Sequence, residues 1–187
     1  ERFHVEVVLS STFLAIPEVS SENRDYIPIG WMSPPTIPSN KIRFLPNANL
    51  WEFGIITSAM HMAWTKFVGG RLESRYQYSI GINYNAFPWP ECTATQKKKI
   101  CDLAQSVLDA RSKYSDATLA QLYDAETMKP DLLKAHRKLD EAVDSLYKRG
   151  GFQGDRERVE HLFALYEKLV QPLTARTGKD KRKKKAT

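Results

Sequence analysis

The sequence predicts an α+β fold in which a mixed, strand-rich region is followed by an all-α bundle of about four helices. Residues 1–90 hold eight of the ten prolines and all four tryptophans. They also show short apolar alternations separated by Pro, Ser and Asn clusters, which is typical of strands and turns. Apolar positions at helical spacing fill residues 91–178. A basic tail, expected to be disordered, occupies residues 179–187.

One helix is expected inside the strand-rich region, from about Asn49 to Val68. Gly69-Gly70 ends this helix, and a strand from Tyr76 to Ala86 follows. Pro88-Trp89-Pro90 is expected to form the seam between the two regions. The apolar side of the predicted helix consists of Phe53, Ile56, Ala59, Met60, Ala63 and Phe67.

Four helices are expected after residue 90, each with an apolar stripe that packs into a core. Thr93 or Thr95 caps the first helix, and Asp116 caps a short second one. Pro130 lies in the first turn of the third helix, and Asp155 opens the fourth. The stripe of the fourth helix contains Val159, Leu162, Phe163, Tyr166, Leu169 and Val170.

The net charge of +6 is concentrated at the C-terminus. Residues 1–90 carry seven Lys/Arg and seven Asp/Glu, and residues 91–178 carry fifteen and fourteen. The tail has six basic residues against Asp180. Such a tail contacts phosphates without sequence preference or serves solubility, so the charge alone does not predict specific nucleic-acid binding.

Composition also indicates where the protein works. No apolar run approaches the length of a membrane span. The sequence shows no basic stretch followed by an apolar core of the kind that marks a signal peptide. Because the chain begins at Glu1 rather than Met, the first region is expected to be N-terminally truncated. Cys92 and Cys101 lack a metal-ligand pattern and are expected to be free thiols of a cytoplasmic protein.

Glu73 and Arg75 are the most informative polar pair. Two residues apart on a strand, they would point the same way. Arg suits O6 and N7 of guanine, and Glu accepts from the cytosine amino group, so together they fit one G·C base pair. The alternative is a solvated surface ion pair of little energetic weight.

A catalytic site is not predicted. The chain has no Gly-rich phosphate loop, and no strand leads into the Gly-x-Gly turn that nucleotides and S-adenosylmethionine require. Its histidines show no metal-ligand spacing and no triad-like arrangement. The residues alone therefore predict a non-catalytic module that carries polar side chains on a mixed region backed by helices.

The chain resembles the MmeI-type restriction-modification family, whose members combine an endonuclease, an adenine-N6 methyltransferase and a DNA target-recognition domain in one polypeptide. The order and spacing of the shared segments make the resemblance specific. These segments are Tyr26-Ile27-Pro28-Ile29-Gly30, Phe53-Gly54-Ile55-Ile56-Thr57-Ser58, Met60-His61-Met62-Ala63-Trp64, Gly70-Arg71-Leu72, Tyr84-Asn85-Ala86-Phe87-Pro88-Trp89-Pro90, Val107-Leu108-Asp109-Ala110-Arg111, Leu119-Ala120-Gln121-Leu122-Tyr123-Asp124 and Leu132-Leu133-Lys134-Ala135-His136.

The resemblance implies a target-recognition domain at residues 1–90 and the family's C-terminal helical region at residues 91–178. The nuclease and the methyltransferase, with S-adenosylmethionine and Mg²⁺, would lie upstream. In the family, positions matching Glu73 and Arg75 read one base pair, and a second pair falls at Lys41 and Gln77. Side chains expected to contact the DNA backbone or to support the base-reading residues are Ser74, Arg71, Arg43, Lys66 and His61.

The resulting hypothesis is a sequence-specific module for double-stranded DNA that makes no bonds itself and works with the upstream domains of the same polypeptide. The first alternative is an interaction module whose helices dock a partner subunit or the catalytic domain. The second alternative is an unrelated catalytic domain that uses His61 or His161. An exposed strand edge near Glu1 would also allow a homodimer.

Overall fold

The computed structural model describes residues 9–183, with side chains described through Gln171. All strands of the described part lie before residue 78, and four of its six α-helices lie after residue 93, so the predicted α+β class is confirmed. The strands are β1 Phe13–Pro17, β2 Val19–Ser20, β3 Gly30–Met32, β4 Ile42–Pro46, β5 Gly70–Leu72 and β6 Arg75–Gln77. The α-helices are α1 Leu50–Ile56, α2 Ala59–Val68, α3 Ala94–Ser112, α4 Leu119–Leu122, α5 Pro130–Tyr147 and α6 Asp155–Lys183.

The strands form two antiparallel, three-stranded sheets, ordered β3-β1-β4 and β2-β6-β5. Glu18 separates β1 from β2, so one stretch of chain contributes a strand to each sheet. Its N–H donates to the Lys41 carbonyl at 2.9 Å, and its carbonyl accepts from the Tyr78 N–H at 2.7 Å. Glu18 therefore joins the two sheets through its backbone.

The chain from Asn49 to Val68 forms two helices, so the prediction of one continuous helix is wrong. Ser58 interrupts it and caps α2 by accepting from the N–H of the third residue beyond it. The N–H of Ala59 donates to a carboxylate oxygen of Asp140 at 2.7 Å. This distant carboxylate satisfies a donor that helix starts leave open. Phe67, expected on the buried side, is 60% exposed.

A hairpin follows α2, and the predicted strand from Tyr76 to Ala86 is wrong. β5 and β6 pair with Leu72 opposite Arg75, which makes the two residues between them a two-residue turn. β6 ends at Gln77, and a π-helical segment occupies Ile80–Tyr84.

The helix starts in the second region follow local capping chemistry. Thr93 caps α3, Pro130 lies in the first turn of α5, and α6 begins at Asp155, as predicted. α4 is capped by Thr118 rather than by Asp116. A side-chain oxygen that accepts from the third N–H of the helix identifies both Thr caps.

The predicted stripe of α6 is buried only in part. Val159 and Leu162 lie in the core, but Phe163 and Leu169 are 41% and 61% exposed. The helix continues over residues 179–183, where the sequence predicts disorder, and residues 184–187 lie outside the described range. None of the helices described is both long and apolar enough to cross a bilayer.

One core spans the strand-rich and helical regions. Gly54 of α1 packs so closely on α3 that a Cβ there would lie 2.8 Å from an isoleucine side chain. The Tyr26 hydroxyl donates to Asp140 of α5 at 2.6 Å, and buried Arg111 of α3 donates to the Ile29 carbonyl at 2.7 Å. These hydrogen bonds attach α5 and α3 to the segment between β2 and β3.

The segment at residues 88–90 lies where the two regions meet. The Tyr147 hydroxyl of α5 donates to the Pro88 carbonyl at 2.9 Å. The Phe87 ring packs edge-on against both Tyr147 and Trp89. Aromatic packing and one hydrogen bond therefore hold the end of the strand-rich region against α5.

Candidate nucleic-acid interface

Glu73 and Arg75 lie together at the tip of the β5–β6 hairpin. The expectation that they sit side by side on an extended strand is wrong, because Glu73 occupies the turn with a φ of 58°. They meet nonetheless, and Nη2 of Arg75 lies 2.5 Å from Oε2 of Glu73. The Arg75 side chain is 46% exposed and the Glu73 side chain is 75% exposed. Exposed pairs of this kind contribute less than about 1 kcal/mol to stability.

The pair has the chemistry to contact one base pair. The ion pair uses one carboxylate oxygen of Glu73 and one nitrogen of the Arg75 fork. The second carboxylate oxygen and further guanidinium N–H groups remain for a cytosine amino group and for guanine O6 and N7. A positive φ is unfavourable for a residue with a Cβ, and such strain concentrates at functional sites.

Gln77 and Lys41, the second predicted pair, flank Glu18. The Gln77 amide donates to Oε1 of Glu18 at 3.3 Å, and Arg43 lies 3.1 Å from Oε2 of the same carboxylate. Lys41 contacts Glu18 through its backbone carbonyl, and Lys41 is exposed. The Glu18 side chain is 11% exposed. The sequence analysis did not predict a role for Glu18. The feature that could have indicated one is its charge, which lies between two apolar strands.

Arg71, expected to contact the DNA backbone or to support the base-reading residues, donates to two backbone carbonyls. Nη1 donates to the Ser74 carbonyl at 3.1 Å, and Nη2 donates to the Lys66 carbonyl at 3.0 Å. The guanidinium carbon lies 4.2 Å from the centre of the Tyr76 ring. Arg71 therefore links the hairpin turn to the end of α2.

Glu22 holds the same hairpin from the loop after β2. Its carboxylate accepts from the Ser74 hydroxyl at 2.5 Å, and its carbonyl accepts from the Tyr76 hydroxyl at 3.1 Å. The hydrogen bond from Ser74 is the main reason that the pKa of Glu22 is lowered, with Arg75 and Arg71 adding to the shift. Ser74 thus contacts a second carboxylate beside the Glu73–Arg75 pair.

Lys66 and His61 have roles inside the fold. The Lys66 ammonium donates to Asp155 at 2.8 Å, which joins α2 to the start of α6. His61 is fully buried, its Nε2 lies 2.9 Å from the Tyr78 hydroxyl, and burial lowers its pKa to about 3. A neutral, fully buried imidazole cannot reach a DNA phosphate, so His61 packs inside the fold.

The described histidines give no catalytic cluster. His136 stacks on Tyr26 with ring centres 4.1 Å apart, and burial lowers its pKa to about 3. His161 packs edge-on against Tyr147 and Phe152. Within the described residues, no group of His, Cys, Asp and Glu is arranged to hold a metal ion.

Comparisons with known proteins identify both halves of the chain. Residues 1–91 match the model for the MmeI target recognition domain, and residues 92–174 match the model for the MmeI C-terminal domain. "DNA methyltransferase A" of Bacillus subtilis (strain 168) is 42% identical over 158 residues, which are 84% of this chain and 18% of that protein.

A solved structure of the type IIL restriction-modification enzyme MmeI in complex with DNA has the same fold. It superposes with a TM-score of 0.85 at 46% identity, over 88% of this chain and 22% of that chain. The chain thus spans about a fifth of the length of the relatives it matches.

Proposed function

Because this chain belongs to the MmeI family, as its target recognition domain followed by its C-terminal domain, we propose that it selects the double-stranded DNA sequence on which a larger methyltransferase acts. The observation that carries the proposal is the Glu73–Arg75 pair, held at the tip of a hairpin and open to solvent. A hairpin is narrow enough to enter the major groove. The chain would act in the cytoplasm, where bacterial DNA lies.

Arg75 and Glu73 would contact the two bases of one G·C pair. Arg75 donates to guanine O6 and N7, and Glu73 accepts from the cytosine amino group. A good contact of this kind discriminates against a wrong base by about 1–3 kcal/mol. Gln77 and Lys41 would contact a neighbouring pair, with Glu18 holding the Gln77 amide in place.

Sequence selection and overall affinity would come from different parts of the larger protein. Residues 1–90 are electrically neutral, and the basic side chains Arg43, Lys66 and Arg71 bond to groups of the protein itself. Phosphate contacts, which dominate affinity for DNA, would therefore come largely from other domains. We expect the 187-residue chain alone to bind DNA weakly at physiological salt.

Bond-making chemistry would also lie in those domains. The described residues offer no cluster for Mg²⁺, and the sequence lacks the glycine turn that S-adenosylmethionine requires. These groups do not fit this chain, so it would supply specificity alone. Its role would be to hold the duplex in register while the target adenine is flipped out.

The test is a reciprocal charge exchange at the hairpin. Glu73→Lys with Arg75→Asp, made in the full-length protein, should replace C by G at one position of the recognition sequence, because Lys then donates to guanine and Asp accepts from cytosine. Sequencing of methylated genomic sites measures the change. The matched control reverses the exposed Lys98–Asp102 pair on α3. An unchanged set of sites in the hairpin variant would refute the assignment.

Exposed apolar side chains favour a second candidate, a docking module. Trp64 is buried, with its ring centre 5.5 Å from that of Phe163, and its indole N–H donates to the Ile82 carbonyl at 3.3 Å. Phe163, Ile82 and Phe67 are each more than 40% exposed. Phe163 and Ile82 both lie beside Trp64, and exposed apolar residues that lie together are typical of interaction surfaces.

Size-exclusion chromatography distinguishes this candidate. A salt-insensitive dimer that Phe67→Ser with Phe163→Ser abolishes, together with no DNA footprint, would favour docking. Ile37→Ser, at a residue that is 65% exposed, is the control. A monomer that retains sequence-dependent DNA binding within the full-length protein would exclude docking as the main role.

A further inference from the structure

Two side chains beside the base-reading pair, Arg71 of β5 and Glu22 of the loop after β2, make hydrogen bonds to the turn of the β5–β6 hairpin. Arg71 bonds to the Ser74 carbonyl within the turn and to the Lys66 carbonyl at the end of α2. Glu22 bonds to the Ser74 hydroxyl and, through its own carbonyl, to the Tyr76 hydroxyl. We propose that Arg71 and Glu22 are positioning residues that set base discrimination by Glu73 and Arg75, an inference that rests on the proposed function.

The hairpin needs such support because it is short. Each strand has three residues, and β2 extends the sheet only alongside Tyr76 and Gln77. The turn end of the hairpin is therefore a two-stranded ribbon, which is marginally stable in water. Glu73 also holds a positive φ, which a Cβ disfavours. Without outside contacts, the turn would sample other conformations, and the two head groups would lose the geometry that one base pair demands.

Arg71 suits this role through its planar fork. One guanidinium bonds to two carbonyls and stacks on Tyr76 at the same time. The Tyr76 ring is itself buried, so the guanidinium rests on a fixed platform. Lysine carries the same charge but has neither the fork nor the stacking plane. Arg71→Lys should therefore fail to hold the hairpin even though the local charge is unchanged.

The support continues into the helical region. Lys66, whose carbonyl accepts from Arg71, uses its own ammonium to bond Asp155 at the start of α6. Arg158 of α6 bonds the same Asp155 at 3.2 Å and Asp144 of α5 at 2.7 Å. The hairpin is thus connected through polar contacts to α5 and α6.

The competing interpretation is that Arg71 contacts a phosphate, and substitutions distinguish the two. A phosphate contact would survive Arg71→Lys. Arg71→Gln would then weaken binding to all sequences alike and reduce the slope of log K against log salt by about 0.9. A positioning residue predicts that both variants lower the preference for the cognate base pair about tenfold, with no change in slope.

The measurement is binding of the full-length protein to duplexes that carry the cognate or the exchanged base pair at the position assigned by the Glu73–Arg75 exchange, over a range of salt. Arg156→Gln, at an exposed arginine of α6 paired with Glu160, is the control. Glu22→Ala should lower the preference as Arg71→Gln does. Glu22→Gln keeps an oxygen that can accept from the Ser74 hydroxyl, so this variant should retain the preference for the cognate base pair.

Hydrogen exchange supplies a measurement that does not depend on the proposed function. Arg71→Gln and Glu22→Ala should speed exchange of the amides in residues 70–77 and leave those of α5 unchanged. If the reciprocal exchange leaves the methylated sites unchanged, the proposed function fails while this result still reports on the support of the hairpin. Unaltered hydrogen exchange in residues 70–77 would overturn the positioning role. So would an unaltered base preference combined with a reduced slope of log K against log salt.

Discussion

Replacing Glu73 by glycine should separate the stability of the fold from its selectivity. Glu73 holds a φ of 58°, a conformation that disfavours a residue with a Cβ by about 1–2 kcal/mol and that glycine adopts freely. The change also removes an ion pair with Arg75 whose partners are well exposed, and such a pair contributes less than about 1 kcal/mol. Glycine also loses more conformational freedom on folding, which costs roughly 0.5–1 kcal/mol. The expected net effect is therefore a gain in unfolding free energy of up to about 1 kcal/mol.

Selectivity should change in the opposite direction. Without the carboxylate, the cytosine amino group loses its acceptor, and Arg75 loses the group that orients its fork. Loss of one base contact corresponds to about 1–3 kcal/mol of discrimination, which is roughly a 5- to 150-fold loss of preference for the cognate pair. A variant that is at least as stable as the parent and much less selective identifies a residue kept for function.

Thermal unfolding and duplex binding measure the two effects. A gain of 1 kcal/mol raises the Tm by about 2–4 °C for a chain of this size. Asn47→Gly is the matched control, because Asn47 has nearly the same φ, 57°, in a different loop, and Asn tolerates this region better than Glu. A fall in Tm of several degrees for Glu73→Gly, with the control unchanged, would refute the strain argument.

Two further substitutions, Asp140→Asn and Gly54→Ala, test the packing of the helices. The pKa of Asp140 is raised to about 6, mainly by burial. The folded state therefore binds this proton more tightly than the unfolded state, and the contribution of Asp140 to stability falls as the pH rises from about 4 to about 6. Urea titrations at pH 4.5 and 7 should show that Asp140→Asn removes this pH-dependent contribution, and an identical pH dependence in both proteins would contradict it. Asp140→Asn should also lower the free energy of unfolding at pH 7 by about 1–3 kcal/mol, because the amide cannot accept from both the Tyr26 hydroxyl and the Ala59 N–H. Gly54→Ala should lower the free energy of unfolding by about 1–3 kcal/mol through overpacking, since its Cβ would lie 2.8 Å from the Ile100 side chain. Urea unfolding measures the loss, and a neutral result would mean that α1 and α3 separate easily.

Local chemistry in the sequence was sufficient to place most helix starts. Thr93, Pro130 and Asp155 mark the starts of α3, α5 and α6, because capping oxygens and a proline act within a few residues. The break before α2 was missed because apolar spacing continues across it. Ser58 looked like an interior residue, and the Asp140 carboxylate that bonds the start of α2 lies 81 residues away.

The contact between Glu73 and Arg75 was predicted through a partly wrong geometry. Alternation on a strand predicted that Glu73 and Arg75 share a side, whereas a turn brings them together. Nothing local indicates this turn, because Glu73-Ser74 lacks the Gly or Asn that two-residue hairpins prefer. Contacts from Arg71 and Glu22 stabilise it instead, and such contacts between separate segments cannot be inferred from the spacing of residues.

The position of the pair at a turn explains how such a domain could change its target without unfolding. Glu73 and Arg75 are exposed, while Tyr76, next to them, is 7% exposed and takes part in the core. In the proposed function, Tyr76, Arg71 and Glu22 would anchor the hairpin, and bases would be contacted by residues whose replacement disturbs little packing. Substitutions at exposed positions usually change stability by less than about 0.5 kcal/mol. New specificities should thus arise by exchanging Glu73 and Arg75 together while the three anchoring residues stay the same.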